Sequence, residues 1–159
     1  MYKDTLEVYQ SAQRTKRILI IKFSSPGDVV LSIPSIRAIR NKFPNAEITV
    51  AVAQKSSPII QRCPYVDEVA VFDNKKGFGI KRIFEFAAQL RKNNFDYVVD
   101  LQNNQKSHIL AFFVFASQRF GYDNGKLSFL LNRSIKDNHM ALPPVEHQFR
   151  VLRLLGIEN

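Results

Sequence analysis

The chain is poorest in the residues that mark stapled, metal-bound or membrane-spanning proteins. It has one cysteine, Cys63, so no internal disulfide can form, and a lone thiol fits a reducing compartment. Its neighbours Arg62 and Pro64 make no redox or metal motif, which leaves Cys63 as a helix-end residue. No apolar run approaches the roughly 18 residues that a spanning helix needs; the nearest is Ile109 to Ala116. Met1 to Lys16 is polar and contains Asp4 and Glu7, unlike the cationic-then-apolar plan of a secretory signal. It reads as a short N-terminal arm (1–16), and the protein is expected in the cytoplasm. His108, His139 and His147 share no metal-ligand spacing, and no Asp-x-Asp is present to hold a cation against a diphosphate, so no metal site is expected. The Gly-Lys-Ser/Thr of a phosphate-binding loop and the three-glycine dinucleotide fingerprint are also missing. Gly77-Phe78-Gly79 has two glycines and no third at the required spacing; it reads as a flexible loop that could cover a ligand.

What is present is apolar mass and positive charge. With 159 residues, 45% hydrophobic and 13 of them Phe, the chain has enough apolar area for one domain with its own core. The formal net charge of +9 points to an acidic partner such as phosphate, an anionic glycolipid or nucleic acid, or else serves solubility. Basic residues are scattered and the phenylalanines fall mostly at core-like positions. Both facts weaken a nucleic-acid reading, which needs a basic patch and exposed aromatics.

The most informative stretch is Arg17 to Pro34. Ile18 to Ile21 is an unbroken apolar run, as expected of a strand buried on both faces of a parallel sheet. Ser24, Ser25, Pro26 and Gly27 end the strand, and a helix follows from about Asp28 to Phe43. Pro34 requires that this helix either begin near Ser32 or be kinked there. Further strands are predicted at Glu47–Ala53, Val66–Phe72, Tyr97–Leu101 and, briefly, Arg119–Gly121. Helices are predicted at Gln54–Arg62, Ile80–Asn93, Gln105–Ala116 and Val145–Leu155, the last stopping at Gly156. In the helix from Ile80, residues Ile83, Phe84, Ala87 and Leu90 are assigned to the buried face. Asp123–Pro144 reads as a long polar connection whose Phe129, Leu130 and Leu131 dock on the body of the domain. Five strands alternating with helices imply an α/β, Rossmann-like, doubly wound parallel sheet. In such sheets ligands bind outside the carboxyl ends of the strands.

Two turns carry the candidate chemistry. Asp28 can be an N-cap or a carboxylate that takes a proton from a substrate hydroxyl; the second role needs one oxygen free. Ser24, Ser25 and Gly27 offer hydroxyl and backbone N–H donors to an anion near the helix start. The second turn, Asp100-Leu101-Gln102-Asn103-Asn104-Gln105-Lys106-Ser107, sets four consecutive amides beside a lysine. Amides suit sugar hydroxyls and Lys106 suits a phosphate or carboxylate, although polar residues there could simply cap the helix.

Arg17 to Val30, with Pro34 following, resembles the opening of the heptosyltransferases of lipopolysaccharide synthesis, glycosyltransferase family nine. Phe43-Pro44-Asn45-Ala46-Glu47-Ile48, Asp100-Leu101-Gln102 with Lys106-Ser107, and His147 through Gly156 are similar to later motifs of that family. The resemblance covers about Arg17 to Ile157, with Ser-Ser-x-Gly-Asp its most specific part. It implies the N-terminal half of a two-domain GT-B fold, with 17–159 as the acceptor-side domain and the C-terminal donor-binding domain absent. It implies transfer of a sugar, heptose from ADP-heptose, to a lipopolysaccharide-type anionic glycolipid, inverting and without metal or cofactor. Asp28 would be the general base, and Ser24, Ser25, Gly27, Gln102 and Lys106 would contact acceptor or phosphate. The nucleotide-sugar donor would be held by a missing domain or a partner chain, with peripheral contact at the inner membrane and no nucleic acid; alone, the chain would transfer sugar poorly. The competing readings are a non-catalytic or degenerate glycan- or anion-binding domain, and a small nucleotide- or nucleic-acid-binding α/β protein.

Overall fold

A computed structural model describes residues 14–73, 75, 77–138 and 141–158; residues 1–13 of the expected arm, and His139, lie outside that set. Six strands form one sheet: β1 (Arg17–Lys22), β2 (Glu47–Ala53), β3 (Glu68–Phe72), β4 (Tyr97–Asp100), β5 (Gln118–Asp123) and β6 (Arg133–Lys136). Their order is β3-β2-β1-β4-β5-β6, and every pairing is parallel. The helices are α1 (Pro26–Val30), α2 (Ile33–Lys42), α3 (Ser57–Ile60), α4 (Ile80–Arg91), α5 (Gln105–Phe113) and α6 (Pro144–Leu152). The chain winds outward from β1 to β3, then returns to the other side of β1 to lay down β4. That reversal opens a crevice outside the carboxyl ends of β1 and β4, where a doubly wound sheet binds its ligands.

Side-chain alternation along β1 divides the core. Ile18 and Ile20 face one layer with Ile36 and Ile39 of α2 and Val151 and Leu152 of α6. Leu19 and Ile21 face the other with Ile83, Ala87 and Leu90 of α4 and Leu110 and Ala111 of α5. All four β1 residues are fully buried, as an apolar run in a central parallel strand requires.

The break required by Pro34 is where it was expected: the stretch forms two helices parted at Leu31–Ser32, with Pro34 in the first turn of the second, where proline's missing N–H leaves no bond unmade. Several expectations are corrected. In α4 the buried aromatic is Phe86, packed on Phe72 at 5.3 Å and Phe23 at 6.3 Å, whereas Phe84 is 39% exposed. The cluster of Phe23, Phe72 and Phe78 draws that side of the helix inward. β5 is longer than expected, and the supposed connection after it holds β6 and a 3₁₀ turn, Ser128–Leu130. β6 is a short polar edge strand, which lacks the alternation that reveals an inner strand. Leu131 is buried as expected, but Phe129 is 79% exposed. Gly156 ends the last helical turn at φ 70°, the left-handed cap anticipated from its position.

The packing makes a direct prediction. Ile20→Ala, on the central strand, should cost about 2–5 kcal/mol in urea unfolding, while Val71→Ala at the exposed side of β3 should cost about 0.5 kcal/mol or less. Equal costs at the two positions would contradict this placement of the core.

Candidate active site

Both turns singled out from the sequence meet at the crevice. Beyond β1 the chain turns through Ser24, and Ser25 caps α1, its hydroxyl 3.5 Å from the Asp28 N–H and donating to Asp28 Oδ2 at 2.8 Å. Ser25 is therefore the N-cap, and Asp28 is the third residue of the helix. Asp28 is exposed, and among the described residues Ser25 is the one hydrogen-bond donor to its carboxylate. Oδ1 is thus left available, as a proton-accepting role requires. Gly27 is exposed beside it, with nothing within 4 Å of where a Cβ would sit.

Ser24 joins the two turns. Its hydroxyl donates to Gln102 Oε1 at 2.7 Å, and its carbonyl accepts from Ser56 Oγ at 2.9 Å. Lys22 reinforces the same seam by donating to the Leu101 carbonyl at 3.2 Å. Burial lowers the Lys22 pKa, and the carboxylates of Asp28 and Asp100 oppose that shift.

The four amides divide their work. Asn104 caps α5 reciprocally with Ser107. Asn103, held at φ 53°, accepts the Tyr122 N–H on Oδ1 at 2.9 Å, and its carbonyl accepts from Asn124 at 2.7 Å. Gln102 cross-links to Ser24, and Gln105 is exposed. Gln102, Asn104, Gln105 and Lys106 then line a cavity of about 570 Å³ with Phe23, Phe78 and Lys126. The Lys106 ammonium stands 4.6 Å from the Phe78 ring centroid. Phe78, from the Gly-Phe-Gly segment, is a wall of the cavity, packed on Phe72 at 4.7 Å and Phe23 at 5.5 Å. Amides, two lysines and two aromatic rings around one opening suit an anionic, polyhydroxylated ligand. Ser24, Ser25, Gly27 and Asp28 are not among the lining residues; they stand at the neighbouring β1 turn and reach the cavity through the Ser24–Gln102 bond.

Sequence reasoning missed what holds this mouth in place. Asp100, fully buried, accepts the N–H groups of Gln102 and Asn103 on Oδ1, both at 2.9 Å. Its Oδ2 lies 3.5 Å from Nε2 of His108, also fully buried. His108 Nδ1 is 2.8 Å from the Lys126 carbonyl, which can only accept, so Nδ1 carries a proton. Two facing lone pairs would repel, so the Asp100–His108 pair holds one proton between them. Lys126 itself had no signal in the sequence, because β5 and the turn after it bring it to the mouth. In α6, His147 stacks on Tyr122 of β5 at 4.0 Å, and its Nε2 is 4.0 Å from Asp137. Burial lowers the His147 pKa and raises that of Tyr122 to about 12. Among the described residues no three His, Cys, Asp or Glu side chains gather as a metal site would need, and no helix is long and apolar enough to cross a membrane.

Burial raises the Asp100 pKa against the opposing pull of His108, Ser107 and the two backbone N–H groups. A carboxyl that holds its proton to higher pH when folded stabilises the fold fully below its unfolded value, about pH 4, and loses that contribution as pH rises through its folded value. Asp100→Asn can keep every bond by donating from its amide to neutral His108, and should flatten this part of the stability–pH curve. Asp100→Ala leaves the partners unmatched and should cost about 1–3 kcal/mol. Thermal melts across pH would check both; an Asn variant with an unaltered slope would contradict the assignment.

Comparison with known proteins agrees with this fold. Residues 83–158 match the model of glycosyltransferase family 9 (heptosyltransferase). Lipopolysaccharide heptosyltransferase 3 of Escherichia coli K12 is 30% identical over 144 residues, covering 84% of this chain and 40% of that protein. The solved ADP-heptose lipopolysaccharide heptosyltransferase II of E. coli superposes with a TM-score of 0.73 at 25% identity, over 85% of this chain and 39% of the other. A family 9 glycosyltransferase from Veillonella parvula shares the fold with a TM-score of 0.81 at 24% identity, over 91% of this chain and 42% of its own length. The chain thus spans about two fifths of the length of these relatives, and over that span it is similar to the heptosyltransferases of glycosyltransferase family 9.

Proposed function

We propose that residues 17–159 form the acceptor side of a GT-B glycosyltransferase that moves a sugar, heptose from ADP-heptose, onto a lipopolysaccharide-type anionic glycolipid. The observation that carries this reading is the Ser24–Gln102 bond, which ties the turn holding Asp28 to the mouth lined by amides and lysines. The names of the relatives supply the substrates. The chain's own chemistry supplies what an acceptor needs: amides for sugar hydroxyls, Lys106 and Lys126 for phosphate or carboxylate, and the Phe23 and Phe78 rings for apolar sugar faces.

In this mechanism Asp28 Oδ1 takes the proton of the acceptor hydroxyl as that oxygen bonds to the anomeric carbon of the donor. The bond from that carbon to the diphosphate breaks, the nucleoside diphosphate leaves with the electron pair, and the anomeric configuration inverts. Ser25 orients the carboxylate through Oδ2, and Ser24 and Gln102 hold the turn against the acceptor. No step assigned to these residues calls for a metal or redox cofactor. The donor would be bound by a further domain or partner chain, and the work would be done at the cytoplasmic face of the inner membrane, where such an acceptor is presented.

Joined to its donor-binding portion, the enzyme should lose about 10²- to 10⁴-fold in kcat on Asp28→Asn, with the acceptor KM nearly unchanged. Lys106→Ala should instead raise the acceptor KM. An Asp28→Asn enzyme with normal kcat would remove the general-base role.

A further inference from the structure

Away from the cleft, the outer seam of α4 and α5, together with the residue after α5's C-cap and the 3₁₀ turn Ser128–Leu130 that packs on α5, carries aromatic rings that the fold leaves uncovered. Phe84 is 39% exposed, Phe115 60% and Phe129 79%. Phe84 packs edge-on against Phe113 at 4.5 Å, and Phe113 meets Phe112 at 5.1 Å and Phe115 at 6.3 Å. Ile80, one helical turn before Phe84 and on its side of α4, is 56% exposed and brings the seam to within two residues of Phe78 in the cleft wall.

Cations are built into this seam. The Arg91 guanidinium lies 4.1 Å from the Phe115 ring centroid and donates to the Phe113 carbonyl at 3.0 Å. That of Arg119 lies 5.4 Å from the Phe112 centroid and donates to the carbonyls of Leu130 at 2.8 Å and Ala116 at 2.9 Å. Leu130 is the chain neighbour of Phe129. Along α4, Lys81, Arg82 and Arg91 outweigh the single acid, Glu85, and α5 has no acid.

Phe115 adds an independent sign. It follows the C-cap of α5 at φ 62°, the left-handed position that glycine ordinarily takes, and a Cβ there is unfavourable. The chain thus holds an exposed ring at a strained backbone position, an arrangement that points to a use outside the fold.

Convex rings interleaved with guanidiniums on a chain of net charge +9 match the boundary of an anionic bilayer, where rings enter the acyl edge and cations stay among the headgroups. A second copy fits less well, because a two-fold contact through this patch would set Arg91 and Arg119 against the same cations of the other copy. We propose that Ile80, Phe84, Phe115 and Phe129, with Arg91 and Arg119, form a docking surface for an anionic lipid bilayer. The surface deepens the membrane-peripheral reading above and rests on it for its purpose alone: it would bring a lipid-borne acceptor beside the cleft.

The test is co-sedimentation of the chain with phosphatidylglycerol vesicles and with phosphatidylcholine vesicles, neither containing glycolipid, so that its outcome is separate from acceptor binding. The wild type should sediment with the first and not the second. Phe115→Gly should fold at least as stably by thermal melting yet partition roughly tenfold more weakly, as loss of one buried ring implies; Phe129→Ser should also weaken binding, and Lys42→Ala, on α2, should not. The proposal is overturned if the wild type stays in solution with phosphatidylglycerol, if it binds both vesicles equally, or if Phe115→Gly and Phe129→Ser bind like the wild type. It is also overturned if these two substitutions abolish self-association without lipid, which would assign the seam to a second copy.

Discussion

The cleft mouth depends on one buried carboxylate. Asp100 ends β4 with no exposure, and a charge placed there is unfavourable unless it is compensated. Compensation comes from three directions: the Gln102 and Asn103 N–H groups on one oxygen, His108 on the other. Each compensating contact also sets a piece of the site. The two N–H bonds shape the loop that aims Gln102 at Ser24. His108 fixes α5 against the sheet and, through Nδ1, holds the turn carrying Lys126. The Asn103 side chain then catches the Tyr122 N–H, tying the loop to β5. Gly121 permits this approach, since a Cβ there would lie 2.7 Å from Leu131 Cδ1 and 3.2 Å from Asn103 Oδ1.

The strand order places this carboxylate usefully. Because the chain reverses at β1, the ends of β1 and β4 are neighbours although their residues are far apart in sequence, with Ile21 paired to Asp100. The Ser25–Asp28 cap and the Asn104–Ser107 capping box are both local. Each would form in any similar turn, and the sheet alone makes them two sides of one crevice.

That division explains what could be read from sequence. The apolar run Ile18–Ile21 and the two polar turns were legible because strand burial and helix starts leave short-range signatures. The sheet class followed from alternation, and the family motifs identified the first turn. The choice of Phe86 over Phe84 was not legible, because it depends on Phe23 and Phe72 from two other strand ends. Nor was β6, a polar edge strand recognisable only by its pairing with β5. Asp100 read as part of a polar stretch, since nothing local shows that a carboxylate will be buried against a histidine eight residues on. Lys126 reaches the mouth through tertiary structure alone. The exposed seam on α4 and α5 escaped for a related reason: the phenylalanines read as core by composition, and only the packed fold shows which of them the core has no room to cover.

The central claim is that a single acceptor site spans the turns after β1 and β4. Backbone amide NMR during titration of the chain with a soluble, phosphorylated acceptor oligosaccharide tests it most directly. Saturable shifts should cluster at Ser24–Asp28, Phe78, Gln102–Lys106 and Lys126, and an oligonucleotide of equal charge should not reproduce them. Shifts confined to other parts of the sheet, or produced equally by the oligonucleotide, would contradict it.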